Sequence, residues 1–173
     1  MKKLLLFSVL IAGMTFGQTF KLTPENYKTA DNKDYVVYEF PGKSKTELFK
    51  TAKIYITSNY KNLKGDGYNE VEPDQIVLNL RANAGTIKRL GIPVIGGDFT
   101  NRYEINFKDE KIMVKPQFES IELPDGMGGL TDKQAFNKKG DVSINKIHFE
   151  GIQEKTNQFV EELQKGMQKS SDW

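Results

Sequence analysis

The chain contains no cysteine. That absence excludes disulfides, thiolate metal sites and thiol nucleophiles, so the domain must be stabilised by its core alone. Histidine is almost missing too. His148 stands alone, whereas a metal centre needs three or more converging ligands. After the first seventeen residues no stretch approaches ~18 uninterrupted apolar residues, the length a membrane-spanning helix requires. Charge of one sign is also lacking. The 25 basic side chains exceed the 23 acidic ones by two, and Lys2 and Lys3 supply that excess. Without them the chain is formally neutral, with no global attraction for nucleic acid or anionic lipid.

What is present begins with an export signal. Lys2 and Lys3 precede an apolar run from Leu4 to Ile11 broken by Ser8, and small residues follow. Thr15 and Gly17 occupy the third and first places before a cut between Gly17 and Gln18. This is the build of a secretory signal peptide, too short to span a bilayer. No cysteine stands beside the cut, so a lipid-anchored form is excluded. The expected division is a signal peptide over 1–17, a polar lead-in over 18–33, one α+β domain over 34–169 and a tail over 170–173. The protein is expected to be exported, periplasmic or secreted, with no transmembrane anchor in the mature chain.

Tyr35 to Phe40 is rich in β-branched and aromatic residues and reads as the first strand of the domain, ended by Pro41-Gly42. Before it, the lead-in reads as loosely ordered, with a short edge strand at Phe20–Leu22. After it, Ser44-Lys45-Thr46-Glu47 is a capping box, in which the serine hydroxyl and the glutamate carboxylate each serve the other's amide. Leu48, Phe49, Ala52, Tyr55, Ile56 and Tyr60 then form a wide apolar stripe at helical spacing, giving a helix from Lys45 to Tyr60. Period two takes over at Ile76, Leu78 and Leu80, and again at Tyr103, Ile105 and Phe107. Ile92–Ile95 is a shorter strand. Ile112, Val114, Pro116 and Phe118 continue the pattern, but Pro116 cannot donate to a ladder and must end the strand, bulge it or lie at an edge. Leu123 to Val142 reads as a polar connection with a short helical turn after Thr131. A second helix runs from Asn145 to Lys169, with Ile152, Phe159, Val160, Leu163 and Met167 on its apolar face. The order makes an α+β domain with both helices on one face of an antiparallel sheet.

Leu22-Thr23-Pro24-Glu25, Tyr35-Val36-Val37, the run from Gly42 to Phe49, the Tyr103–Phe107 strand and the Lys108-Asp109-Glu110-Lys111-Ile112 turn form a connected set of motifs. Over Phe20 to Ile121 the chain resembles an exported bacterial family of unknown function with a TBP-like fold, of the DUF4468 type. The resemblance implies a β-α-β(4)-α layout. It brings no catalytic residue, because that family has no established activity, and the fold's name does not imply DNA binding.

Four features invite chemistry. Gly42-Lys43-Ser44 lies between a strand and a helix, as in a phosphate-binding loop, but Val37 stands where that loop needs its first glycine. The capping box accounts for Ser44 and Glu47 without a nucleotide. Gly126-Met127-Gly128-Gly129 lacks the third glycine and the βαβ surroundings of a dinucleotide site. Asp66, Asn69, Glu70, Glu72 and Asp74 are an acidic cluster without the alternation of a calcium loop, so a solvated connection explains them. His148 has Glu150 nearby in sequence and is the one candidate general base. Tyr55, Tyr103, Phe107, Phe118 and Phe159, together with Phe149, are spaced to face the layer between sheet and helices. They make either an ordinary core or an apolar groove beneath the last helix.

The reading that results is an exported, non-enzymatic binding or interaction domain without a cofactor. Its partner is a small apolar molecule or an envelope protein, with no nucleic acid. The competing class is a hydrolase-type enzyme in which His148 works with a nearby carboxylate.

Overall fold

The computed structural model describes residues 19–60, 63, 67–89, 92–95, 97–122, 129–131, 134–142 and 146–169. The signal segment with its Gly17–Gln18 cut, Asp66, and the run Gly126 to Gly128 lie outside these residues. The chain forms β1 (Lys21–Thr23), β2 (Asn26–Lys28), β3 (Val36–Glu39), α1 (Lys45–Asn59), β4 (Tyr68–Val71) and β5 (Gln75–Asn83). It continues through β6 (Thr86–Arg89), β7 (Ile92–Ile95), β8 (Asp98–Lys108), β9 (Lys111–Glu122), β10 (Gly129–Thr131) and α2 (Lys146–Lys169).

The main sheet is antiparallel, in the order β10-β9-β8-β5-β4. Strand β3 pairs with β9 over Val36–Glu39, on the edge that β10 also occupies further along. Strands β6 and β7 form a separate hairpin between β5 and β8. The path β3-α1-β4-β5-β8-β9-α2 is the expected β-α-β(4)-α layout, but β4, which the sequence reading did not name, is the fourth strand in place of Ile92–Ile95.

The period-two pattern decides which face is covered. Along β8, Phe99, Asn101, Tyr103, Ile105 and Phe107 are buried, while the residues between them are partly exposed. Along β9, Ile112, Val114, Pro116 and Phe118 point inward, and Ile121 then joins them with the opposite parity. A bulge makes the correction: Asn101 pairs with Phe118 and Thr100 with Ser120, leaving Glu119 as the extra residue. Without it, Ile121 would face solvent.

Pro116 sits in the stretch of β9 where neither β3 nor β10 is in register on the outer edge. Two residues on, Phe118 receives a substitute for a neighbouring strand. Its N–H donates to Asn26 Oδ1 (2.8 Å), and its carbonyl accepts from Asn26 Nδ2 (3.0 Å). Residues two apart aim their backbone groups to the same side, so the donor that Pro116 lacks would have faced this open edge. The edge alternative for Pro116 is the one realised.

Helix α1 begins as its capping box requires. Ser44 Oγ accepts from Glu47 N, and the Glu47 carboxylate accepts from Ser44 N at 2.8 Å. Its buried face is Leu48, Phe49, Ala52 and Ile56, and each large apolar member contributes about 1.5–3 kcal/mol by leaving water. Helix α2 buries Ile152, Thr156, Phe159, Val160, Leu163 and Met167. These residues and the inward side chains of the sheet form a single core.

The short strand expected at Phe20–Leu22 is present as β1, and the rest of the lead-in is more ordered than expected. It forms the β1–β2 hairpin, and Phe20, Leu22 and Tyr27 are fully part of the core. Asn157 on α2 both donates to Phe20 O (3.0 Å) and accepts from Phe20 N (2.7 Å), and Gln153 accepts from Leu22 N (2.9 Å). Three apolar residues in a polar stretch carry too little period to announce a strand pair. Tertiary contacts with α2 and the open edge of β9 supply the order.

Candidate functional site

The N-terminus of α1 is already occupied. The N–H of Gly42 donates to Glu110 Oε1 (2.9 Å), that of Ser44 to Glu47, and that of Lys45 to Asp109 Oδ1 (2.8 Å). The amides that would cradle a phosphate therefore hold the protein's own carboxylates. Asp109 and Glu110 form the tight turn between β8 and β9, so the same turn closes the sheet and caps the helix. The Gly-Lys-Ser sequence starts a helix, as its capping pattern implies.

The acidic cluster does not converge. Glu70 pairs with Lys53 and Asp74 with Lys45, each joining the β4–β5 hairpin to α1. Tyr68 also donates its hydroxyl to Glu70. Among the described residues no group of three His, Asp or Glu could hold a metal ion.

His148 stands in the first turn of α2 and is buried. Burial lowers its pKa from the ordinary value. Its Nδ1 accepts from the Gly97 N–H at 3.1 Å, which requires that nitrogen to be unprotonated. Gly97 is itself held close to the end of β9, where a Cβ would lie 2.4 Å from Glu122 O. The imidazole thus ties α2 to the start of β8.

The five aromatic residues proposed for a groove separate into different places. Phe107 packs edge-on against Phe49 of α1, with centroids 5.4 Å apart. Phe118 is buried beneath the Asn26 patch on β9. The Tyr55 ring lies against Gly166 of α2. Only Tyr103 and Phe159 come together, 4.1 Å between centroids, with Tyr60 edge-on to Phe159. These two share a pocket of about 200 Å³ with Tyr60, Leu80 and Phe99. Phe149 pairs with Phe136 instead.

Behind that pocket lies a polar cluster that the sequence reading missed. Tyr27, Asn101, Tyr103 and Thr156 are all buried. The Tyr27 hydroxyl is 2.7 Å from Thr156 Oγ1, and Asn101 Nδ2 reaches Thr156 Oγ1 (2.7 Å) and Tyr103 OH (3.1 Å). Thr156 Oγ1 also donates to Ile152 O at 2.7 Å. Burial pushes the Tyr27 phenol far above its ordinary range and the Tyr103 phenol up to about 12. The cluster is neutral and hydrogen-bonded within itself, joining β2, β8 and α2. Its one sequence signal was Asn101 at an inward position between Phe99 and Tyr103.

Among the described residues no helix covers the opposite face of the sheet. There Tyr35, Val37, Glu39, Asn106, Lys108, Lys111 and Met113 line a concavity of about 420 Å³. The register explains the grouping: Glu39, Lys111 and Lys108 lie side by side across three strands, and Val37, Met113 and Asn106 form the next row.

This is an open antiparallel sheet covered on one face by two helices, the TBP-like α+β fold. A TBP-like protein from Parabacteroides distasonis ATCC 8503 is similar at 14% identity and a TM-score of 0.55, over 78% of this chain and 90% of that one. A DUF4468 family protein from Bacteroides ovatus ATCC 8483 is similar at 11% identity and a TM-score of 0.49, over 75% and 79%. The fold of the first agrees with the one implied by the sequence resemblance. At such identities a likeness conveys fold and no activity. No family model matches the chain, and no curated protein matches it. No helix among the described residues is long and apolar enough to cross a membrane.

Proposed function

We propose that the protein is an exported, non-enzymatic interaction domain that docks an envelope protein through the open face of its sheet. The observation that carries this reading is the distribution of space. The aromatic layer under the helices is spent on the core, and its pocket of about 200 Å³ falls below the ~300–1,000 Å³ typical of small-molecule sites. The wider concavity, about 420 Å³, lies on the face that no helix among the described residues covers. The charged and polar side chains Glu39, Asn106, Lys108 and Lys111 beside Val37 and Met113 suit a protein surface better than a small apolar molecule. The Gly17–Gln18 cut and the formally neutral mature chain support export and a protein partner over nucleic acid. His148, which accepts a backbone hydrogen bond in a buried setting, favours interaction over hydrolysis.

Native mass spectrometry of the protein recovered from its host envelope tests the reading. The expected species begins at Gln18 and carries a protein partner, which the double variant Val37→Arg, Met113→Arg loses while its thermal melt is unchanged. A retained small apolar molecule, or a partner that survives the double variant, refutes the open-face reading.

A further inference from the structure

The concavity on the open face has a cationic end. Lys108 and Lys111 are directly opposite each other at the β8–β9 turn, both exposed. Like charges in that position repel. The turn's own carboxylates do not neutralise them. Asp109 is committed to the Lys45 amide and Glu110 to the Gly42 amide, both on the helix side of the turn. Glu39 is next to Lys111 in register, and Asp34 is paired with Lys115 at 2.8 Å. Among the described residues neither Lys108 nor Lys111 forms an ion pair. One strand-row away, Val37 is 36% exposed beside Met113.

We propose that this end of the concavity binds an extended peptide segment of the partner in which a carboxylate stands two residues from an apolar side chain, on the same face. The carboxylate seats between Lys108 and Lys111 and removes their mutual repulsion, while the apolar side chain covers Val37 and Met113. The charged and apolar rows are two residues apart along each strand, about 7 Å, which matches side chains i and i+2 of an extended peptide, the ones that share a face. An anionic membrane is the poorer occupant, since lipid-binding patches gather about four to eight basic residues. The same open face offers two unpaired lysines with Glu104 and Glu39 among its other side chains. The inference rests on the open-face reading and specifies its partner's chemistry.

The probe is a fluorescein-labelled peptide of Leu-Ser-Glu-Ser repeats, which puts leucine and glutamate on one face when extended, read by fluorescence anisotropy on the full mature chain, with the glutamine counterpart as control. Binding to the glutamate peptide is expected to fall about tenfold in Lys108→Gln, Lys111→Gln and to weaken with added salt, whereas Lys108→Arg, Lys111→Arg retains it. Equal binding of the glutamine peptide, or no binding of either, overturns the proposal. So does lysine-dependent binding to vesicles of anionic phospholipid that the glutamate peptide fails to compete. In the native mass spectrum, a partner lost by Val37→Arg, Met113→Arg but kept by Lys108→Gln, Lys111→Gln refutes the carboxylate seat alone. A partner kept by both double variants refutes the open-face reading with it.

Discussion

Replacing Gly151 by alanine should destabilise this protein, although the local rule points the other way. Gly151 lies inside α2, where alanine is favoured over glycine by about 0.8–1 kcal/mol. The helix crosses the end of β5 at this point. A Cβ on Gly151 would sit 1.8 Å from Ala84 O and 2.7 Å from Ala84 C, whereas real Cβ atoms essentially never come within 3.0 Å of a neighbour. The obstacle is backbone, whose amide is held by Gly97 O at 3.0 Å, so it cannot swing away like a side chain. Helix α2 must therefore retreat by about 1.2 Å, and His148, Ile152 and Thr156 lie within the turns on either side. Overpacking of this kind costs about 1–3 kcal/mol, and losing the Gly97–His148 bond adds about 1 kcal/mol. Steric overlap wins, leaving a net loss of about 2 kcal/mol after the helix-propensity gain. In a domain of this size that lowers the melting temperature by about 4–8 °C. Circular dichroism at rising temperature reads the shift. A Gly151→Ala protein that melts at or above the wild-type temperature would refute the close-crossing argument. Gly166→Ala is the internal control, because its obstacle is the Tyr55 ring, which is partly exposed and can rotate; its loss should be the smaller.

Ser44→Ala removes the helix cap and should cost about 1 kcal/mol in urea unfolding, with Ser44→Gly milder; an unchanged midpoint would mean that the cap contributes nothing. Tyr27→Phe and Thr156→Val should each cost about 1–3 kcal/mol by leaving buried partners unsatisfied. Their effects should also be non-additive by more than about 0.5 kcal/mol, because they share one hydrogen bond, and strict additivity would dissolve the network. The folded pKa of His148 is held down by burial, so the unfolded chain takes up the proton first. Stability is complete above the unfolded value of about 6.5 and declines as pH falls below it, until the folded ring titrates as well. Urea midpoints at about pH 7.5 and about pH 5.5 should differ in wild type, and His148→Asn should narrow that difference.

Legibility followed the range of the interaction. The capping box of α1, the alternation along β5, β8 and β9, and the apolar stripe of α2 were readable because each repeats within one element. The β1–β2 hairpin was not, because its order comes from Asn157, Gln153 and the open edge of β9, all about a hundred residues away along the chain. Pro116 left three alternatives open until the neighbours of β9 were known. Of the five aromatic residues, Tyr103, Phe107, Phe118 and Phe159 are buried in the core, and Tyr55 is partly exposed against α2. Composition could not say that Phe107, Phe118 and Tyr55 would each find a different packing partner, leaving only Tyr103 and Phe159 at one pocket.

By itself the sequence determined helices α1 and α2, strands β3, β5, β8 and β9 and the α+β class, because local hydrogen bonding and apolar period are encoded within a few residues. It also closed the phosphate-loop question, through Val37 and the Ser44–Glu47 pair. The tertiary structure decided which face of the sheet remains open, that two lysines flank a turn whose carboxylates are engaged elsewhere, and that Asn101 meets two tyrosines and a threonine. Those outcomes depend on register and on distant neighbours, which no local pattern contains.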